Sequence, residues 1–69
     1  MAEPRHNRVR ELREKKLMTQ AELARRARVA VRTVHSVEKG KNCRMATKRK
    51  ILRALGLEFD ERDRVFPDV

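Results

Sequence analysis

Most side chains capable of chemistry in this 69-residue chain are cations: 19 Lys plus Arg stand against 10 Asp plus Glu, with two His and one Cys. Covalent catalysis needs a nucleophile beside a base, general acid–base work needs paired carboxylates, and phosphate cradling needs a glycine-rich loop. The sequence carries none of these patterns, so no enzyme is expected. His35 has no Asp, Glu or Cys partner at ligand spacing, and His6 lies in the first few residues. No metal site and no cofactor are therefore expected. Cys43 cannot form an internal disulfide, and a reduced, cytoplasmic setting fits best. It stands beside Arg44, a cation that would lower the thiol pKa, although an inert loop thiol is the simpler reading.

The formal net charge is +9. Met1 to Leu57 carries 17 basic and five acidic residues, whereas Glu58 to Val69 carries five acids and only Arg62 and Arg64. A basic body with an acidic end suits a polyanionic partner on one face, yet solvated helix surface accounts equally well for charge alone. Two Phe, no Tyr and no Trp argue against base stacking on aromatic rings, as in single-strand binders. A chain this short has little room for a deep cavity. No stretch approaches the roughly 18 apolar residues of a membrane span, and Met1 to Arg8 has no apolar leader segment.

The elements that must present these cations are helical. Both glycines and both prolines fall at expected boundaries, and no sustained period-two pattern of β-branched residues occurs. The first helix is expected over 7–16, with Val9 and Leu12 on its inner face and Met18 or Leu17 closing the turn. The second starts at Thr19, which with Glu22 reads as a capping box, and ends near Ala27 or Arg28 with Leu23, Ala24 and Ala27 inward. The third is expected over 31–39, with Val34 and Val37 inward, Val29 packed ahead of it, and Gly40 as its left-handed terminator. The fourth is expected over 47–55, with Ile51, Leu52 and Leu55 inward. Leu57 and Phe59 continue the core, Asp60 is expected to cap a last short turn through Val65, and Phe66 to fold back.

From Gln20 to Lys39 the spacing is that of two helices crossing steeply across a tight turn. Ala24 is the small residue needed at the crossing, and Leu23, Ala27, Val29, Val34 and Val37 are the apolar positions that fix the pair to the bundle.

The chain resembles the phage-repressor and Cro type of helix-turn-helix domain, the XRE family. The resemblance rests on Leu12-Arg13-Glu14-Lys15-Lys16, Thr19-Gln20-Ala21-Glu22-Leu23-Ala24, Thr33-Val34, Val37-Glu38-Lys39-Gly40 and Ile51-Leu52-Arg53-Ala54-Leu55-Gly56-Leu57. It implies an all-α, lambda-repressor-like bundle of four to five helices, one domain over 1–69 with its core at about 7–66 and a flexible 1–6. Three positions depart from the family pattern: Arg28 and Leu17 replace glycines, and Ala30 replaces the Ser or Thr that caps the third helix.

The resemblance further implies that the third helix enters the major groove of double-stranded DNA, with Val31, Arg32, Thr33, His35 and Ser36 at or near the base edges. Arg32 is the leading base contact, because its planar fork matches guanine. Gln20, Lys39, Lys41, Asn42 and Arg44 are expected to hold phosphates, and Arg13 and Glu38 to form a partly buried salt bridge. The function implied is a bacterial or phage transcriptional regulator, associated with the nucleoid and acting as a homodimer. The dimer surface is not obvious from the sequence, although the tail with Phe59, Val65, Phe66 and Val69 is apolar enough to contribute. The alternative is an antitoxin or adaptor whose helix-turn-helix binds a protein partner.

Overall fold

The computed structural model describes residues 7–67, so the expectation of a flexible 1–6 lies outside the described residues, as do His6 and Val69. Four α-helices follow one another: α1 (Val9–Lys15), α2 (Gln20–Ala27), α3 (Val31–Glu38) and α4 (Met45–Ala54). A terminal 3-10 helix, Phe59–Arg64, completes the order. The fold is all-helical among the described residues, and no helix there is long and apolar enough to cross a membrane.

Helices of seven to ten residues are too short to be stable alone. What holds them is a common core in which Leu23, Val34, Ile51, Leu52, Val9 and Val65 are completely buried, with Val37 and Leu55 nearly so. Ala24 and Ala27 on α2 are buried as well, and their small side chains let α2 pack closely against α3 and α4. Leu12, Val29, Leu57 and Phe59 are half-buried against this cluster.

All four helices end in the same way. A residue with positive φ follows the last turn, and the next residue donates its N–H back to the carbonyl five positions earlier, the Schellman pattern. The bonds run from Met18 N to Arg13 O (3.1 Å), Val29 N to Ala24 O (3.0 Å), Lys41 N to Ser36 O (3.1 Å) and Leu57 N to Leu52 O (2.9 Å). Glycine fills the left-handed position after α3 and α4, but Leu17 (φ 58°) and Arg28 (φ 60°) fill it after α1 and α2. Each is followed by an apolar residue that turns inward, Met18 and Val29, and that contact holds the unfavourable conformation. Leu17 itself is 90% exposed, so Met18 closes the first turn.

The helix starts are less uniform. Thr19 and Glu22 form the expected reciprocal capping box, with Glu22 N donating to Thr19 Oγ1 (3.0 Å) and Thr19 N to Glu22 Oε1 (2.8 Å). Ala30 offers α3 no side-chain cap. Asn7 staples the start of α1 to the end of α3: its Oδ1 accepts from Val9 N, and its Nδ2 donates to Val37 O at 2.7 Å.

Three expectations need correction. The fourth helix begins at Met45 rather than Thr47, because Met45 and Ala46 are exposed and leave no inward stripe to mark the first turn. Asp60 lies inside the terminal 3-10 helix rather than capping it. Glu61 does that work, accepting from Glu58 N at 2.8 Å, and this bond, with smaller help from Arg64, lowers the Glu61 pKa. Finally, Val65 and Phe66 are 0% and 4% exposed in the protomer's own core, and Phe59 is half-buried with Arg49 and Arg62 stacked 4.7 and 4.9 Å from its ring. Val65 and Phe66 therefore have no free surface to give to a dimer interface.

Left-handed φ costs a side-chain-bearing residue on the order of 1–2 kcal/mol, partly offset in a glycine variant by the greater entropy of the unfolded chain. Leu17→Gly and Arg28→Gly should each stabilise the domain by about 1 kcal/mol, read as a rise of several degrees in Tm. A fall for Leu17→Gly, which loses no packing, would show that the turn is not strained.

Candidate nucleic-acid interface

Helical periodicity splits α3 into two sides. Val34 and Val37 face the core, while Val31, Arg32 and His35 are exposed and Thr33 and Ser36 are half-buried on the flanks. Arg32 and Ser36 are one turn apart, as are Val31 and His35, so these four side chains share the outer surface of α3. At 1.5 Å per residue the eight residues of α3 span about 12 Å, comparable with the width of a DNA major groove. Val31, at the entry of the helix, is an apolar side chain left 49% exposed.

Lys39 caps the C-terminal end of α3, Lys41 and Asn42 follow in the exposed connection, and Arg44 is the N-cap of α4. All four are exposed, so the structure brings this group together at one end of α3. Gln20 is placed differently. It is the first residue of α2, half-buried, and its Nε2 donates to Glu38 Oε1 at 2.9 Å.

Glu38 is the centre of that corner. Arg13 Nε donates to its Oε2 at 2.6 Å and Arg13 Nη2 to its Oε1 at 3.2 Å, with the Arg13 and Glu38 side chains 11% and 5% exposed. The third arm of the guanidinium, Nη1, donates to Met18 O at 2.8 Å. The hydrogen bond to Glu38 raises the Arg13 pKa against the opposing effect of burial. The link from Gln20 to Glu38 was not legible in the sequence: the two are 18 positions apart, and amides carry no charge pattern.

The ion pairs among the described residues are unevenly distributed. Arg8–Glu11 and Arg10–Glu14 neutralise the outer face of α1, and Arg64–Glu61 neutralises part of the terminal 3-10 helix. Between Glu22 and Glu58, by contrast, the sequence carries eleven cations and a single carboxylate, Glu38, which Arg13 already occupies. Arg25, Arg26, Arg28, Arg32, Lys39, Lys41, Arg44, Lys50 and Arg53 thus stand without a carboxylate partner among the described residues.

At Cys43 the effect that Arg44 alone would have on the thiol does not appear, and the simpler reading of an inert loop thiol fits better. Partial burial against the core raises its pKa, and the opposing effect of the Lys48 charge is the smaller.

Comparison with known protein families gives a match to the family described as Helix-turn-helix over residues 9–62, most of the chain. The chain belongs to the XRE-type helix-turn-helix family. It therefore carries a DNA-binding helix-turn-helix domain, with α2 and α3 as the paired helices. No curated protein and no solved structure matches it.

Breaking a buried ion pair leaves a lone charge and costs about 3–5 kcal/mol, whereas replacing both partners with apolar side chains is often neutral. Arg13→Met should therefore come close to unfolding the domain, and Arg13→Met/Glu38→Met should restore most of the stability, both measured by urea denaturation. Equal stabilities for the two variants would contradict the buried-pair assignment. The Cys43 thiol, held protonated by burial, should react with iodoacetamide at pH 8 more slowly in the folded protein than in urea; equal rates would place it in solvent.

Proposed function

We propose that this protein is a sequence-specific double-stranded DNA-binding transcriptional regulator that reads its site with α3 in the major groove. The observation that carries the reading is the pairing of an exposed, mixed polar and apolar α3 surface with eleven cations between Glu22 and Glu58, where the one carboxylate, Glu38, is taken by Arg13. Self-repulsion among so many cations is unfavourable in the free protein, and a duplex, with one phosphate per about 1.7 Å of axis, relieves it.

Within that reading the roles divide by chemistry. Arg32 donates its two-pronged fork to guanine O6 and N7, a contact that discriminates by roughly 1–3 kcal/mol. Val31 packs on a thymine methyl, and Thr33, His35 and Ser36 complete the groove-facing set. Lys39, Lys41, Asn42 and Arg44 hold the sugar-phosphate backbone beside the end of α3. Gln20 adds a phosphate contact at the start of α2, where the first backbone N–H groups have no helical acceptor. These backbone contacts set register without carrying sequence information.

A single recognition helix reaches only a few base pairs. A homodimer on a roughly palindromic site, with half-sites about 34–36 Å apart, supplies the second set of contacts. The protein would then reside on the nucleoid. The dimer surface would have to lie outside Val65 and Phe66, which the protomer's own core consumes.

Selection from random duplex DNA should yield a symmetric motif with one-turn spacing. Against that motif, Arg32→Ala should relax preference at one base pair per half-site. Lys41→Ala should weaken every sequence alike and reduce the slope of log K against log salt by about 1 per protomer. Unchanged DNA affinity in both variants, together with loss of a protein partner, would favour an adaptor or antitoxin role instead.

A further inference from the structure

We infer that Glu38 is a positioning residue for DNA binding: it orients the Gln20 amide so that this side chain meets the phosphate backbone as a donor. The inference deepens the reading under Proposed function and rests on it. Gln20 stands at the first position of α2, and its amide has two ends of opposite character. A carbonyl oxygen presented to a phosphate would repel it, whereas an N–H would bind it. Nothing in an amide selects between the two orientations, so a neighbour must.

Glu38 makes that selection. Its carboxylate oxygens act only as acceptors here, both of them toward Arg13, and Oε1 also accepts from Gln20 Nε2 at 2.9 Å. The nitrogen is thereby fixed, with its second N–H still free to donate. A carboxylate near a polyanion would ordinarily be a liability. Here it is almost wholly covered, and its charge is balanced by the two-pronged contact from Arg13 at 2.6 and 3.2 Å. Arg13 is anchored in turn by its bond to Met18 O, in the connection that leads into α2. The chain of contacts thus runs from α1 through the last residue of α3 to the first residue of α2.

The sign of one substitution separates this role from simple electrostatics. Glu38→Gln removes a negative charge, so charge alone predicts tighter DNA binding and a steeper salt dependence. Positioning predicts weaker binding, because a glutamine at 38 can present either end to Gln20 and no longer fixes its amide.

The test is a double-mutant cycle read by fluorescence anisotropy on a labelled duplex carrying the selected site, with folding of each variant followed by circular dichroism. Gln20→Ala should weaken wild-type binding about tenfold, the equivalent of one charge-assisted hydrogen bond. Glu38→Gln should weaken it to a similar degree despite the added positive charge, and Gln20→Ala should then cost less than about twofold more in the Glu38→Gln background. Should Glu38→Gln fail to fold, Arg13→Met/Glu38→Met keeps the net charge and supplies the same background. Tighter binding by Glu38→Gln, a full tenfold loss from Gln20→Ala in either background, or no loss from Gln20→Ala in the wild type would overturn the inference. Wild-type protein that binds no duplex at all would instead remove the proposed function, and this inference with it.

Discussion

The buried ion pair between Arg13 and Glu38 is the constraint on which the arrangement of the other parts depends. The core beneath it is built from apolar residues alone, and apolar contacts tolerate small rotations of one helix against another. The ion pair does not. Two hydrogen bonds of defined direction, a third from Gln20 and a fourth to Met18 O fix the end of α1, the start of α2 and the end of α3 relative to one another. Such a pair contributes little net stability over an apolar substitute, because both charges must be stripped of water. Its contribution here is geometric: the axis of α3 is set by the same residue that ends it.

Helix termination supplies the second layer of definition. A chain whose helices average about two turns depends on where each one stops, and the left-handed ending sends the next residue inward after α1, α2 and α4, at Met18, Val29 and Leu57. Gly40 and Gly56 made two of these endings legible from composition. Leu17 and Arg28 did not, because neither residue type favours positive φ. What decides their conformation is the burial of Met18 and the packing of Val29, a tertiary effect that overrides local preference. The family resemblance marked both positions as glycine sites, and the structure keeps the glycine-like backbone without the glycine.

The candidate site was readable to different depths. The outer face of α3 followed directly from the periodicity of Val34 and Val37, since burying two valines three apart exposes the residues opposite. The cations at the end of α3 were readable as a cluster in sequence that remained a cluster in space. Three features were hidden for physical reasons. Cys43 lies next to Arg44 in sequence, but burial outweighs charge at its thiol. Val65 and Phe66 looked available to a dimer interface, although the protomer's own core buries both. The bond from Gln20 to Glu38 joins distant positions through a neutral amide and leaves no trace in composition or charge.

The pattern of ion pairing connects these layers to function. Every Arg–carboxylate pair among the described residues involves α1 or the terminal 3-10 helix, and the stretch between Glu22 and Glu58 keeps only Glu38. Surface ion pairs are worth little to stability, so their absence from the central span is not a large thermodynamic sacrifice. Their absence does matter for a ligand. A paired guanidinium must leave its carboxylate before it can meet a phosphate, and an unpaired one need only shed water. An unpaired surface is therefore preorganised for a polyanion, and the one carboxylate permitted there is buried, neutralised from α1, and turned to hold a hydrogen-bond donor in place.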